Sequence, residues 1–272
     1  MSRGRTVVVT GAASGIGFGI ARAFAQTGAN VALADIRAAV LESACVEICE
    51  LGVTARAYEV DVSRRDAMAA FAQRVGEDFG GVDVLCNNAG VAYPGIPIAD
   101  APEGDIAWVF GVNVFGIING IAAFMPLLRA SAPGSHIVNT ASVAGLALQP
   151  GWHQGIYGAT KAAVVALSEG LRDDVADDGI GISVLCPAAV ATDLYATAAS
   201  DEVRPARFGA SRDRRAPEER VRLLATVGLD PNDVGQAVVD AVRERRFYVV
   251  THPETEELVR SRYQEILEAY AV

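Results

Sequence analysis

Seven short apolar runs alternate with helix-forming stretches from one end of the 272-residue chain to the other, and this alternation most restricts the fold. The runs are Thr6–Thr10, Asn30–Asp35, Ala55–Glu59, 82–87, 135–141, 181–187 and 247–251. Most are β-branched and lack the polar alternation of a half-exposed strand, so both faces need cover. Helical stretches lie between them: from the first glycines to about residue 27, then 38–51, 63–79 with Ser63 as N-cap, 105–130, 157–177, 231–245 and 254–270. Strand and helix in turn predict an α/β fold, a doubly wound parallel seven-stranded sheet with helices on both faces. Neither a repeat nor a linker interrupts the pattern, so residues 1–272 read as a single domain. Residues 192–217, rich in Ala, Arg and Ser without a period, read as a flap over a substrate site.

Hydrophobic residues make up 51% of the chain and charged residues 21%, the balance of a folded rather than a disordered protein. With 33 acidic against 23 basic residues, the net charge of -10 argues against a nucleic-acid partner. Cys86 and Cys186 sit in strand runs and read as buried. Cys45 and Cys49 share a helix face with no further ligand nearby, so no metal is expected. No export signal is visible, so a cytoplasmic location and reduced thiols are the expectation. Residues 106–128 carry no charge and are long enough to span a bilayer. They also hold Asn113, Asn119, three glycines and Pro126, so they read as a buried helix, partly facing another subunit, and no membrane is expected.

Thr10-Gly11-Ala12-Ala13-Ser14-Gly15-Ile16-Gly17 joins the first strand to the first helix. Such a turn lets backbone approach a pyrophosphate while the helix N-terminus offers N–H groups and a positive dipole end. Gly11, Ser14, Gly15, Ile16 and Gly17 are therefore candidate cofactor contacts, although any tight strand–helix turn can call for glycine. Asp35 ends the second strand, where a carboxylate accepts bonds from ribose hydroxyls and repels a 2′-phosphate. It equally suits a helix N-cap. Ser14 and Ile36 are not basic, which favours NAD over NADP; Arg37 works the other way, since a guanidinium can hold a phosphate. Asp61 and Val62 follow the third strand, where Asp61 either faces an adenine edge or caps the next helix.

Tyr157 and Lys161 form a YxxxK pair, one turn apart on a predicted helix face. An ammonium near a phenol favours the phenolate and brings a poor base toward working range. Taken alone, such a pair is also a common surface arrangement. In the same chain come the glycine turn, Asn87-Asn88-Ala89-Gly90 after the fourth strand, Asn113 in a long helix and Ser142 after the fifth strand. In this order and spacing the sequence resembles the short-chain dehydrogenase/reductase family, in its single-domain TGxxxGxG branch with a Rossmann-type fold, over about residues 5–250.

The resemblance implies roles. Tyr157 would exchange a proton with the substrate oxygen, and Lys161 would hold the nicotinamide ribose and lower the Tyr157 pKa. Ser142 would orient the substrate oxygen, and Asn113 would hold a water in a proton relay. Asn88, Ala89 and Gly90 would line the cofactor cleft. One departure is Pro187-Ala188, where the family has Pro-Gly, and Ala resists backbone angles that Gly permits. Pro187, Val190 and Thr192 match positions that hold the nicotinamide end. The implied activity is interconversion of a secondary alcohol and a ketone by hydride transfer to or from NAD. An enoyl reductase and a nucleotide-binding regulator without turnover remain as alternatives.

Gly111-Val112-Asn113 through Ile118-Asn119-Gly120, Phe124, Pro126 and Arg204-Pro205-Ala206-Arg207-Phe208-Gly209 also resemble the branch that oxidises benzylic Cα alcohols of lignin-type aryl ethers. An apolar pocket is expected from Val143, Leu146, Leu148, Trp152 and the flap. His153 reads as a loop histidine or a substrate contact. Arg204, Arg207, Arg212, Arg214 and Arg215 read as a solvated flap or as receptors for an acidic substrate. A homodimer or homotetramer is implied, with residues 106–128 and 157–177 as the contact faces.

Overall fold

The computed structural model describes residues 4–93, 95–209 and 226–270. Seven strands form one sheet: β1 Thr6–Thr10, β2 Asn30–Asp35, β3 Ala55–Glu59, β4 Val84–Asn87, β5 His136–Thr140, β6 Gly181–Cys186 and β7 Tyr248–Val250. Their order is β3-β2-β1-β4-β5-β6-β7, and every pairing is parallel. β1, β4, β5 and β6 are buried along their whole length, as expected for runs covered on both faces.

The helices are α1 Gly15–Gln26, α2 Ala38–Cys49, α3 Arg65–Phe79, α4 Glu103–Phe110, α5 Gly116–Ala130, α6 Val143–Leu146, α7 Gly155–Asp174, α8 Leu194–Ala199, α9 Pro231–Glu244 and α10 Glu256–Glu268. One core lies on the α3, α5 and α7 side of the sheet, around Phe71, Trp108 and Phe124. A second holds Ile20, Phe24, Leu41 and Val238, beneath α1, α2 and α9, and a smaller cluster gathers around Ile117, Val164 and Val184. The sheet order turns back between β1 and β4. At such a switch point the strand ends splay apart and leave a crevice.

Ser63 does not cap α3, whose N-cap is Arg64. Its hydroxyl instead donates to Asp61 Oδ1 at 2.5 Å, because the turn after β3 folds back on itself before the helix starts. The expected long helix is continuous over Glu103–Ala130 but contains a π-turn at Gly111–Phe115. This is the one run among the described residues long and apolar enough to cross a bilayer, yet 56% of its most apolar window is packed inside the protein. Such π-turns often mark functional positions, and this one carries Asn113.

Candidate active site

Thr10 closes β1 with a hydroxyl that accepts from both Asn88 N and Ala89 N at 3.0 Å. Asn88 Nδ2 returns a bond to Thr10 O at 3.0 Å, and Thr140 Oγ1 donates to Asn88 Oδ1 at 3.3 Å. Three strand ends are thus laced at the switch point. Gly11 and Gly15 have φ of +66° and +57°, and a Cβ on Gly17 would stand 2.0 Å from Gly11 O. Only this sequence of glycines lets the chain fold so tightly into α1. Ser14 makes no capping bond, so the first-turn N–H groups of α1 are left facing the crevice.

Asp35 stands in the wall of the same crevice, 7% exposed. Its Oδ2 accepts from Ala13 N at 3.1 Å, and its Oδ1 from Arg37 N at 3.0 Å and Arg37 Nε at 3.3 Å. The residue at the N-cap of α2 is Arg37, so Asp35 is a brace for the glycine turn rather than a helix cap. Arg37 lies back along the turn and donates to Ser14 Oγ at 2.8 Å. Ile36 and Val62 add apolar wall. Asp61 Oδ1 takes the Ser63 N–H at 3.0 Å, and its Oδ2 pairs with Arg207 at 2.6 Å.

Tyr157 and Lys161 project from α7 at the other end of the crevice, with Ser142 opposite, just beyond β5. Ser142 Oγ accepts from Ala144 N at 3.1 Å and donates to Pro187 O at 3.2 Å. Lys161 is 4% exposed; its Nζ donates to Thr140 O at 2.9 Å and lies 5.7 Å from the Tyr157 ring centre. Desolvation draws the Lys161 pKa down to about 8. Desolvation also pushes the Tyr157 phenol well above its ordinary value; Tyr195 adds to this and Ser142 opposes it. Burial is the largest cause acting on the Tyr157 phenol, and the Lys161 ammonium lies over its ring.

Asn113 makes three side-chain hydrogen bonds inside the protein. Its Oδ1 accepts from Val91 N at 2.8 Å, and its Nδ2 donates to Val91 O at 3.0 Å and Thr160 Oγ1 at 3.1 Å. A Cβ on Gly90 would lie 3.3 Å from Asn113 Oδ1 and 3.5 Å from Lys161 Nζ, so the three residues meet at one point.

After β6, Pro187, Ala188, Ala189 and Val190 line the crevice. Val190 forms a parallel bridge with Leu229, in which Leu229 bonds the flanking Ala189 O and Ala191 N. Val190's own N–H and C=O therefore point away from Leu229. The Thr192 methyl would be 3.0 Å from a Cβ on Gly15, so this segment closes onto the glycine turn. Ala188 is not among the non-glycine residues with positive φ, so Ala costs no backbone strain where the family has Gly.

Of the expected pocket residues, Val143 and Trp152 line the crevice. Leu146 is 8% exposed and faces a different groove, while Leu148 lies outside at 48% exposed. The expected flap supplies Thr192, Tyr195, Ala198 and Val203 to the crevice, whereas the sequence reading missed Gln149, Gln154 and Leu258, which come from the segment before α7 or from distant α10. His153 is exposed and outside the crevice wall, in keeping with a loop histidine. Arg204 pairs with Asp105 at 2.8 Å, both 2% exposed, and Arg207 pairs with Asp61, so neither is free to receive an acidic substrate. Arg212, Arg214 and Arg215 lie outside the described residues.

The crevice, about 360 Å³, joins an acidic end, a helix N-terminus and a Tyr–Lys–Ser end. That donor set fits a dinucleotide: acceptors for ribose hydroxyls, N–H groups for pyrophosphate and a proton-active group at the far end.

A short chain dehydrogenase family model matches residues 5–203. The C alpha-dehydrogenase of Sphingobium sp. is 36% identical over 97% of this chain and 85% of its own length. The 1-deoxy-11-beta-hydroxypentalenate dehydrogenase of Streptomyces avermitilis is 32% identical over 96% and 89%. Among solved structures, a short chain dehydrogenase/reductase from Burkholderia phymatum in complex with NAD superposes with a TM-score of 0.90 at 37% identity, covering 98% of this chain and 95% of that one. LigD of Sphingobium sp. strain SYK-6, in its apo form, gives 0.80 at 32%, covering 98% and 97%.

Proposed function

This chain belongs to the short chain dehydrogenase family, and on that premise we propose that it interconverts a secondary alcohol and a ketone with NAD. The observation that carries the reading is the placement of Tyr157, Ser142 and Lys161 at one end of the crevice whose other end is Asp35. NAD, when bound, supplies the acceptor for the hydride that leaves the carbinol carbon. Tyr157 takes the hydroxyl proton as the carbonyl forms. Ser142 holds the same oxygen in register, and Lys161 binds the nicotinamide ribose hydroxyls. Thr140 O holds the Lys161 ammonium in place, and Gly90, lacking a Cβ, leaves room beside it. The α1 N-terminus and Gly11–Gly17 would take the pyrophosphate, and the Val190 N–H and C=O, without a backbone partner among the described residues, suit a carboxamide.

Asp35 favours NAD by its charge. Arg37 shares that charge, so the margin over NADP is moderate. Val143, Trp152, Tyr195, Ala198 and Val203 give the substrate end an uncharged, mostly apolar surface, which supports a neutral aryl or alkyl carbinol. The Sphingobium relative is named a C alpha-dehydrogenase, which supports a Cα alcohol as substrate. Self-association through α5 fits Phe115, 55% exposed at the head of that helix.

The test is formation of NADH over a panel of benzylic alcohols, aliphatic secondary alcohols and polyols. Oxidation of benzylic alcohols supports the reading, and activity confined to polyols defeats the apolar-pocket reading. Tight NAD binding without turnover on any carbinol would favour a regulator instead.

A further inference from the structure

The loop after β6 faces the crevice with its backbone, and the Ala188 and Ala189 side chains cannot brace it. It is held from two sides. In front, Pro187 O accepts Val143 N at 2.9 Å and Ser142 Oγ at 3.2 Å. Behind it stands His252, two residues beyond β7 and 4% exposed. Its Nδ1 accepts the Ala188 N–H at 3.1 Å, and its Nε2 lies 2.7 Å from Ala189 O. An N–H acceptor on one nitrogen and a carbonyl partner on the other fix the tautomer with the proton on Nε2. The Thr251 hydroxyl adds a second contact to Nδ1 at 2.8 Å. Thr255 N and Oγ1 both donate to His252 O, at 3.1 and 2.7 Å, which anchors the imidazole's own backbone.

Both ring nitrogens are thus spent on consecutive peptide groups of a loop more than sixty residues away in sequence. Those groups immediately precede Val190, which lines the crevice and whose N–H and C=O point away from Leu229 and have no backbone partner among the described residues. We propose that His252 is a positioning residue for the reaction: it fixes the register of Ala188–Val190 so that the nicotinamide end of the cofactor meets a preformed donor and acceptor. This rests on the dinucleotide reading given above. A ring that merely filled space would need neither nitrogen. Replacing it with an apolar side chain would leave the Ala188 N–H without its partner and take one of two donors from Ala189 O.

The test compares His252→Gln, whose amide can accept and donate as the imidazole does, with His252→Leu, which only fills the space. NADH and ADP-ribose, which lacks nicotinamide, are titrated against each variant without substrate, and melting temperatures are recorded. His252→Leu is expected to bind NADH about tenfold more weakly and ADP-ribose within twofold of the unaltered protein. His252→Gln is expected to recover most of the NADH affinity. Equal losses for both ligands, or none for NADH, would overturn the assignment. If His252→Leu does not fold, His252→Gln and His252→Asn carry the test, since the shorter amide keeps only the Ala188 bond and should fall between; Asn binding NADH as well as Gln would overturn it. An unaltered protein that binds neither ligand would defeat the cofactor reading itself.

Discussion

Lys161 Nζ donates to the carbonyl of Thr140 at 2.9 Å while lying 5.7 Å from the centre of the Tyr157 ring. The end of β5, not the phenol, holds the ammonium in the folded chain. With its pKa drawn from the ordinary 10.5 to about 8, the charged form costs stability in the native state. The unfolded chain then binds the proton more tightly between those two values, so this group's contribution to stability rises as pH climbs from about 8 to 10.5. Melting curves over that interval should show the rise in the native protein and lose it in Lys161→Met; parallel curves would contradict it.

Tyr157→Phe would remove the proposed proton acceptor and leave the ring. Turnover should fall by about 10²–10⁴-fold, the usual range for a lost general base. NAD affinity, measured by titration, should stay within several-fold. Retained turnover would take Tyr157 out of the chemistry.

Strand positions were readable because apolar β-branched runs leave few choices, and most of the site's motifs sit at strand ends or in one helix turn. Ser63 was not readable as it folds: a Ser before a helical stretch signals a cap, and only the turn after β3 redirects its hydroxyl to Asp61. Leu146 and Leu148 follow Ser142 closely in sequence, but α6 carries their side chains to other surfaces. Leu258 and His252 reach the site by tertiary contact across more than sixty residues, which no local pattern encodes.

Asp35→Ala should shift selectivity toward NADP. The substitution removes the repelling charge and releases Arg37 from its 3.3 Å pairing, leaving a guanidinium beside the ribose site. The ratio of kcat/KM for NAD over NADP should drop by about tenfold or more, each 1.4 kcal/mol being one factor of ten. An unchanged ratio would reduce Asp35 to a brace for Ala13 N.

His136 is buried in β5, bonded to Ser183 at 2.8 Å, and desolvation with the nearby Arg245 charge lowers its pKa from 6.5 to about 4. It contributes stability that is complete above pH 6.5 and is lost as pH falls toward 4, because the unfolded chain protonates first. His136→Gln, which keeps a partner for Ser183, should flatten the melting temperature across that window. An equally steep acid limb would place the loss elsewhere.

Arg204 and Asp105, paired out of water, bolt the end of the α8 segment to α4, with the Arg204 guanidinium also 5.2 Å from the Trp108 ring. The other end of that segment is bolted to the strand ends through Pro187. Tyr195, Ala198 and Val203 therefore hang between two fixed points. Within this span, Ala198 and Val203 line the crevice with side chains that hydrogen-bond neither Tyr157, Lys161 nor the glycine turn, so they can be exchanged with the least disturbance to those residues. Relatives can thus diverge in the alcohols they accept while inheriting the same chemistry, and a designer wishing to retarget the enzyme has a bounded stretch of chain on which to work.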